Sequence, residues 1–275
     1  ISFCCKLPGF PSLSLFAVRM LSRSTANPSP IAILTYHQIA QAPPKGTPFR
    51  SLCVAPERFA AHMRWLKRLG WQGMSMSDLR PYLQGERSGR VFGITFDDGY
   101  LNNLQHAMPV LKDLGFTATC YLVHDALGHT NQWDQALGIA QVPLMNDAQV
   151  LDWVRAGMEV GSHTCTHERL DQLSGPALQD QLQGSRQALE VLLDQPVQQF
   201  CYPFGVYRPE QVALVREAGY LAATTTRRGR VRARDDMFQL HRIPVVRSTS
   251  WPQFLVKLLS PHENRYRDQA EAVHG

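Results

Sequence analysis

Two adjacent carboxylates, Asp97 and Asp98, follow the apolar segment RVFGITF and precede Gly99. The segment is short and rich in β-branched and aromatic residues, which predicts a buried strand that ends in a glycine turn. Neighbouring side chains on an extended chain point to opposite faces, so we expect the two carboxylates to have different roles. One could hold a metal ion while the other accepts a proton. For this motif alone, an acidic turn that caps the next helix is the alternative.

Two histidines, His163 and His167, follow a second short apolar segment at 158–161. Imidazoles at positions i and i+4 can bind one ion if the segment after the strand is helical. With one aspartate they would form a set of three protein ligands that leaves coordination positions for water and substrate. Such a set is typical of a catalytic metal site, whereas structural zinc sites have four protein ligands.

The segments TFDDG, HTCTH and FCYPFG occur in this order along the chain. They resemble the three motifs of the NodB-type polysaccharide deacetylases, which are metal-dependent carbohydrate esterases. The resemblance extends over residues 31–246. It implies that Asp98, His163 and His167 bind the metal and that Asp97 is the general base.

The resemblance also implies a cofactor and a reaction. The cofactor is one divalent ion; Zn²⁺ suits the nitrogen-rich ligand set, and Co²⁺, Ni²⁺ or Fe²⁺ would fit the same ligands. Such an ion lowers the pKa of its water from 15.7 toward about 7 and polarises an acyl oxygen. Asp97 would then remove a proton as the water attacks the acetyl carbon. The expected enzyme removes N-acetyl or similar acyl groups from an amino-sugar-containing glycan or glycolipid.

The third motif places Tyr202, Pro203 and Phe204 beside the substrate, by the same resemblance. The backbone N–H of Tyr202 is the expected second hydrogen-bond donor to the developing oxyanion. Pro203 restricts Tyr202 to extended geometry, which gives a physical reason for a fixed backbone at this point. A strand-ending turn without a catalytic role is the alternative.

The chain departs from the family pattern at two positions. Many members carry, at the position of Cys201, an arginine that orients the catalytic aspartate. Cysteine cannot supply that charge-assisted bond, so we expect the pKa of Asp97 to be set mainly by the nearby metal. The general acid of the family is usually a histidine on a late strand. His241 in QLHRIPV is the candidate, with an ordinary strand histidine as the equal alternative.

Two more residues are candidates for substrate contacts. His37 ends the strand-like segment IAILTYH, and a similar Tyr–His segment opens many deacetylases of this kind. A hydrogen bond from His37 to a neighbouring loop is the alternative. Trp133 lies in a long loop after the predicted strand 117–123, where its ring could face a sugar. The alternative for Trp133 is an ordinary loop anchored by one buried aromatic ring.

Strand and helix patterns alternate along the chain with short connections, which predicts parallel strands joined by crossover helices. The candidate residues follow the carboxyl ends of strands, where a barrel gathers its active site. The resemblance implies an α/β fold, a distorted (β/α) barrel of about seven parallel strands. We expect this domain to span residues 29–259, between an N-terminal extension (1–28) and a polar, frayed tail (260–275).

The N-terminal extension fits no clean element, because Pro8 and Pro11 interrupt its apolar run and no small-residue cleavage site follows. We expect it to be disordered, or to be translated upstream sequence with Met20 as the start, and the alternative is a signal peptide. The six cysteines include no CxxC pair, which favours a reducing compartment. A cytoplasmic location follows as an expectation.

The composition, with 44% hydrophobic and 19% charged residues, is ordinary for a globular protein with a sizeable core. The sequence contains no run of 18 apolar residues, so it does not predict a transmembrane helix. The net charge of +5 favours weak attraction to anionic partners. The basic segment 227–234 could contact an anionic glycan, glycolipid or membrane surface, or could be a solvated loop. Its arginines have no interleaved aromatic residues, so we do not expect nucleic-acid binding.

Two other functions are also compatible with the sequence. The same fold and metal could hydrolyse a small amide, such as a cyclic imide or ureide. A catalytically silent glycan-binding protein could also keep the fold. The complete set of two aspartates and two histidines argues against the silent protein, because a binding protein gains nothing from a buried carboxylate pair.

Overall fold

The computed structural model describes residues 29–267. Its strands are β1 (Ile33–Tyr36), β2 (Gln38–Ile39), β3 (Cys53–Val54), β4 (Gln72–Met74), β5 (Val91–Phe96), β6 (Thr119–Leu122), β7 (Glu159–Ser162), β8 (Gln199–Cys201), β9 (Ala222–Arg228) and β10 (Leu240–Pro244). Its α-helices are α1 (Pro56–Arg68), α2 (Met76–Leu83), α3 (Met108–Leu114), α4 (Asp147–Arg155), α5 (Gly175–Gln179), α6 (Ser185–Leu193), α7 (Pro209–Glu217) and α8 (Trp251–Leu259). π-helical turns precede α3 and join α5 to α6.

The main sheet closes into a barrel because β1 pairs with both β5 and β10. The order β1-β10-β9-β8-β7-β6-β5 therefore returns to β1, which gives seven strands, and each neighbouring pair is parallel. β4 is added beside the first half of β5, at residues 91–93, and β6 pairs with β5 further along, at Thr95 and Phe96. The expected distorted (β/α) barrel of about seven parallel strands is confirmed.

Apolar side chains form two cores, one inside the barrel and one around it. The inner core contains Ile33, Tyr121 and Leu240 from the strands together with Met76 and Leu79 from α2, so α2 packs against the barrel interior. A larger core lies between the strands and the outer helices. Burial of each large apolar side chain contributes about 1.5–3 kcal/mol to folding.

The outer core contains large aromatic side chains such as Phe59, Phe96 and Trp153. The Trp153 ring packs edge-on against Phe96 at 5.8 Å, and its indole N–H donates to the Glu159 carbonyl at 2.9 Å. These contacts fix α4 against β5 and β7, the two strands that precede the candidate metal ligands.

Several helix ends follow local features of the sequence, such as a proline or a polar cap. Pro56 begins α1, and α8 begins at Trp251 and ends at Leu259. Asn146 caps α4 by a reciprocal pair of hydrogen bonds with Gln149, at 3.0 and 2.9 Å. Such caps satisfy backbone N–H groups that a helix leaves unpaired, so they determine where α4 can begin.

The chain stays packed beyond the predicted domain end at residue 259. The buried carboxylate of Glu263 accepts hydrogen bonds from Arg228 at 3.0 and 3.1 Å and lies 3.2 Å from the Lys257 amine. The described part of the expected tail (260–267) is therefore fixed against the basic segment 227–234. The predicted domain boundary at residue 259 is therefore corrected. The interpretation of the basic segment as a solvated loop is corrected as well, because Arg228 is paired with the buried Glu263 carboxylate. Residues 1–28 and 268–275, and the expectations for them, lie outside the described residues.

None of the helices in residues 29–267 is long and apolar enough to cross a membrane.

Candidate functional site

The candidate site lies at the carboxyl ends of the barrel strands. β5 is followed by Asp97 and Asp98, and β7 is followed by His163. A cavity of about 310 Å³ opens there. Its lining includes most of the side chains predicted for the site: His37, Asp97, Asp98, Trp133, His163, His167, Tyr202 and Phe204.

Three side chains converge on one point in the cavity floor. The Oδ1 atom of Asp98 lies 3.5 Å from the Nε2 atom of His163 and 3.4 Å from the Nε2 atom of His167. The three ligand atoms all lie within 4.8 Å of one another, and all three residues are buried. A carboxylate with two imidazoles in this arrangement is a set of donors that a divalent transition metal favours.

Left-handed backbone conformations create this convergence. Asp98, Thr164 and His167 have φ values of 74°, 71° and 61°. The helical turn that the i, i+4 spacing required is absent, because the segment from His163 to His167 is a loop in which Thr164 and His167 have positive φ. Each costs about 1–3 kcal/mol in a non-glycine residue. The Thr164 hydroxyl offsets part of this cost by accepting the backbone N–H of His167 at 3.0 Å.

The imidazole of His163 is oriented by the neighbouring strand. Its Nδ1–H donates to the Cys201 carbonyl at 2.8 Å, which leaves Nε2 directed at Asp98. A second hydrogen bond of this kind is typical of histidines that bind metals, because it fixes the tautomer and the ring orientation.

The His167 ring lies between two aromatic side chains, Trp133 and Phe204, with ring centroids at 4.6 and 4.5 Å. Burial, together with the charge of His163, lowers the pKa of His167 to about 3. The ring is therefore neutral at physiological pH, which is the form that binds a metal.

The residues present thus fit a divalent metal ion. A second group, formed by Asp97, His163 and Cys201, also brings three donor atoms within 4.8 Å of one another. It is the poorer candidate because the Asp97 carboxylate is already bound by Arg242.

Asp97 is held by a buried arginine from the opposite side of the barrel. Arg242 on β10 donates from Nη1 to Oδ1 at 2.7 Å and from Nη2 to Oδ2 at 2.8 Å. The Thr35 hydroxyl donates to Oδ2 at 3.3 Å. Burial alone would raise the pKa of Asp97, but the charge and hydrogen bonds of Arg242 outweigh it and hold the pKa below its usual value. Asp97 is therefore ionised at neutral pH.

Arg242 supplies what Cys201 cannot. Its remaining donors reach the Thr225 carbonyl at 2.9 Å, the Thr95 hydroxyl at 3.0 Å and the Cys201 sulfur at 3.2 Å. The expectation that the pKa of Asp97 is set mainly by the metal is corrected by this pair, since Arg242 already lowers it. The sequence offered one signal, because a buried arginine within an apolar strand requires a charged partner.

His241 lies next to Arg242 on β10, and neighbouring side chains on a strand point to opposite faces. Because Arg242 points into the barrel, His241 points outward, where its ring lies beside Gly229 and near Asp235. It is not among the residues that line the cavity. The prediction that His241 lies at the site as the general acid is therefore wrong, because the side chain is directed away from the cavity.

His37 does lie at the site. Its Nε2 atom is 3.9 Å from Oδ2 of Asp97, and about a quarter of its side chain is exposed to the cavity. The Asn103 amide donates to the His37 carbonyl at 2.8 Å and fixes the backbone at this point. Of the three imidazoles that line the cavity, His37 is the one that does not face Asp98.

The third motif contributes less directly than predicted. The backbone N–H of Tyr202 donates to the Thr224 carbonyl at 3.2 Å, so the expected oxyanion donor is engaged in the sheet. The Tyr202 hydroxyl donates to the Phe238 carbonyl at 3.1 Å. Pro203 is buried and does not line the cavity. Phe204 lines the cavity and is 44% exposed.

Aromatic side chains flank the mouth of the cavity. Trp133 is half-buried in its wall, and the rings of Phe204 and Phe49 are exposed. Phe49 and Phe204 both have left-handed backbone, with φ of 53° and 58°. Strain of this kind concentrates at functional sites. Sequence reasoning missed Phe49, because it lies in a proline-rich loop without periodicity.

Comparisons with known proteins point to one family. The family model described as "Polysaccharide deacetylase" matches residues 84–223, about half of the chain. YxkH of Bacillus subtilis (strain 168), which is named for the same family, is 29% identical over 223 residues, covering 80% of this chain and 73% of YxkH.

Solved structures with the same fold include the deacetylase PplD of Streptococcus pyogenes in complex with acetate. It has a TM-score of 0.73 and 24% identity, and the match covers 84% of this chain and 99% of PplD. The polysaccharide deacetylase BC0361 of Bacillus cereus has a TM-score of 0.70 and 25% identity, with 83% of this chain and 69% of BC0361 covered. On this evidence the chain belongs to the polysaccharide deacetylase family, metal-dependent hydrolases that act on the carbon–nitrogen bonds of acetylated glycans.

Proposed function

We propose that this chain removes N-acetyl, or similar acyl, groups from an amino-sugar-containing glycan or glycolipid, with Asp97 as the general base. The observation that carries the proposal is that two adjacent carboxylates have different partners. Asp98 faces two imidazoles, whereas Asp97 faces Arg242 and the cavity. Hydrolysis of an amide needs this difference, because one carboxylate must hold a metal while the other remains able to accept a proton.

Asp98, His163 and His167 would hold one divalent ion, for which Zn²⁺ is our first choice and Co²⁺, Ni²⁺ or Fe²⁺ fit the same donors. When bound, the ion supplies Lewis acidity, which makes a water molecule easier to deprotonate and polarises an acyl oxygen.

Asp97 accepts the proton of the attacking water. The hydrogen bonds from Arg242 hold its carboxylate in one orientation and keep it ionised at neutral pH. The same bonds weaken its basicity, since a lower pKa reduces the driving force for proton transfer. Arg242 is therefore a positioning residue. It fixes the orientation of the Asp97 carboxylate and at the same time lowers the basicity of that carboxylate.

His37 is positioned to donate a proton to the leaving amine. It lies beside Asp97 on the open side of the cavity, where a departing sugar nitrogen would pass. It replaces His241 as our candidate for the general acid. The substrate would lie between the Trp133 and Phe204 rings and that of Phe49, whose flat apolar faces can stack on sugar rings.

Acetate release from N-acetylated glucosamine oligosaccharides tests this proposal. The protein is assayed as purified, after treatment with a chelator, and after the return of Zn²⁺. We expect release by the purified protein, loss with chelator and recovery with zinc. A cyclic imide is assayed in parallel. Hydrolysis of the imide without acetate release from any oligosaccharide would contradict the proposal.

A further inference from the structure

A second cavity adjoins the one that contains Asp97. Gln41, Arg50 and Cys53 line both cavities, so they form the boundary between them. The second cavity is lined further by Arg58 and Arg247 and by two serines, Ser248 and Ser250. Three guanidinium groups therefore border one concave surface beside the reaction site.

Contacts with backbone carbonyls hold the side chains of Arg58 and Arg50, and the backbone of Arg247 is held as well. Arg58 on α1 donates from Nη1 to the Arg247 carbonyl at 2.6 Å and to the Thr249 carbonyl at 3.3 Å. The Arg247 backbone N–H donates to the Ser51 carbonyl at 2.8 Å. Arg50 donates from Nε to the Pro43 carbonyl at 2.5 Å. The loop that carries Arg50, the start of α1 and the turn after β10 are thus tied together around the cavity.

Within residues 29–267, no carboxylate lies within 4.0 Å of the guanidinium nitrogens of Arg50, Arg58 or Arg247. Glu57 is the acidic residue next to Arg58 in sequence, and its carboxylate accepts hydrogen bonds from Gln41. Arg228 of the basic segment differs, since it is paired with Glu263. The lining of the second cavity therefore contains three arginines and no acidic residue.

We propose that the second cavity binds a carboxylate or phosphate group on a sugar close to the one that is deacylated. This inference rests on the proposed function and names its substrate class as an acidic N-acylated glycan. An oligosaccharide with its acyl group at Asp97 can extend past Gln41 and Arg50 into the second cavity. Guanidinium groups bind the paired oxygens of carboxylate and phosphate with good geometry, and their positive charge attracts the anion before contact.

Equilibrium binding tests the inference independently of turnover. The full chain carrying Asp97→Asn and loaded with Zn²⁺ is titrated by calorimetry with three ligands of equal length. These are the neutral tetrasaccharide of N-acetylglucosamine, the same tetrasaccharide oxidised to a carboxylate at C6 of one unit, and its 6-phosphate. We expect at least one acidic ligand to bind about tenfold more tightly than the neutral one, and less so as salt rises.

Two variants in the same background assign the effect to the cavity. Arg247→Gln should reduce the advantage of the acidic ligand by about three- to tenfold and leave affinity for the neutral ligand unchanged, because a partly exposed ion pair is weak and gains strength from good hydrogen-bond geometry. Arg87→Gln changes the net charge equally on an exposed residue that lines neither cavity, and should have no effect.

The two acidic ligands identify the source of the anion. Preference for the carboxylate or for the phosphate supports the inference and names the group. Equal affinity for all three ligands, or an equal loss of neutral and acidic binding in Arg247→Gln, would overturn it. Failure of the wild-type chain to release acetate from any oligosaccharide would instead contradict the proposed function. The binding measurements would still decide whether the second cavity prefers an acidic sugar.

Discussion

At the scale of single residues, Asp97 and Asp98 have the same side chain and adjacent positions but different partners. Asp98 lies 3.5 and 3.4 Å from two imidazole nitrogens, and Asp97 lies 2.7 Å from a guanidinium nitrogen. Both carboxylates line the same cavity. Their different surroundings therefore arise from the left-handed turn at Asp98 and from the residues opposite each carboxylate, rather than from simple alternation along a strand.

Asp97→Asn removes the general base and keeps the shape of the side chain. We expect kcat to fall about 10²- to 10⁴-fold, the usual worth of general base catalysis, while zinc content stays at the wild-type level. Steady-state kinetics and metal analysis of the same preparation check this. The matched variant Asp98→Asn should lose zinc as well as activity. Wild-type turnover in Asp97→Asn would refute the assignment of the base.

Arg242→Met should move the acidic limb of the pH–rate profile. The pKa of Asp97 lies below its usual value in the wild type, so the ionised base is present above that low pKa. Without Arg242, burial is no longer opposed and the pKa rises, so activity should be lost at a higher pH as acid is added. Profiles of kcat/KM against pH measure the shift.

Two further variants control for instability of Arg242→Met, because an unpaired buried carboxylate can cost about 3–5 kcal/mol. Arg242→Lys keeps the charge and should give a smaller shift in the same direction. Arg155→Met removes an exposed arginine paired with Asp152 and should leave the profile unchanged. An acidic limb that stays in place in both Arg242 variants would rule out the assigned role.

Local motifs pointed to four residues that the structure brings together at the cavity, namely Asp97, Asp98, His163 and His167. Each pair is close in sequence, so its residue types and spacing carry the signal. Arg242 was missed because it lies 145 residues from Asp97 and belongs to no motif. Its role depends on which face of β10 points into the barrel, and the five-residue strand LHRIP has an apolar residue on each face, so no alternation in the sequence shows it.

At the scale of elements, β7 positions one candidate metal ligand, His163, and is itself anchored at its other end. The Glu159 carboxylate accepts hydrogen bonds from the Ser77 backbone and hydroxyl and from the Thr119 hydroxyl. These bonds join β7 to the start of α2 and to β6. Since Glu159 begins β7 and His163 follows its end, the anchor and the site are separated by the length of the strand.

Glu159→Ala should therefore reduce stability without changing chemistry. It leaves the buried Thr119 hydroxyl and the Ser77 N–H without their acceptor, which costs about 2–4 kcal/mol for the group of bonds. Urea denaturation measures the loss, and kcat of the folded protein should match the wild type. Glu210→Ala, which removes an exposed carboxylate, should change stability by less than about 0.5 kcal/mol. Equal stability of the two variants would contradict the anchoring role.

The loop that carries Phe49 forms part of the cavity mouth, and the ring is 54% exposed. Phe49→Ala should raise KM for an oligosaccharide about 2- to 10-fold with little change in kcat, because a stacking contact is worth roughly 0.5–1.5 kcal/mol. Val191→Ala truncates a side chain that is 84% exposed on α6 and should change neither parameter. An unchanged KM in Phe49→Ala would exclude the ring from substrate binding.

At the scale of the whole molecule, alternating strands and helices predicted parallel strands joined by crossover helices, and the structure contains them. Closure was implied by the resemblance rather than by the pattern, because alternation alone also fits an open sheet. The extent of the domain was harder to predict. Residues 260–267 look like a polar tail in sequence, but the buried Glu263 carboxylate neutralises Arg228 and Lys257 on elements that precede it. Long-range charge pairing of this kind has no local signature.

The proposed activity depends on one ion bound by Asp98, His163 and His167. Anomalous diffraction at the zinc edge from crystals of the zinc-loaded wild-type protein tests this most directly. We predict a single strong peak at the cavity floor, within about 2.0–2.2 Å of one Asp98 oxygen and of the Nε2 atoms of both histidines. A peak among Asp97, His163 and Cys201, with the Arg242 pair broken, or no peak in the cavity, would contradict the account.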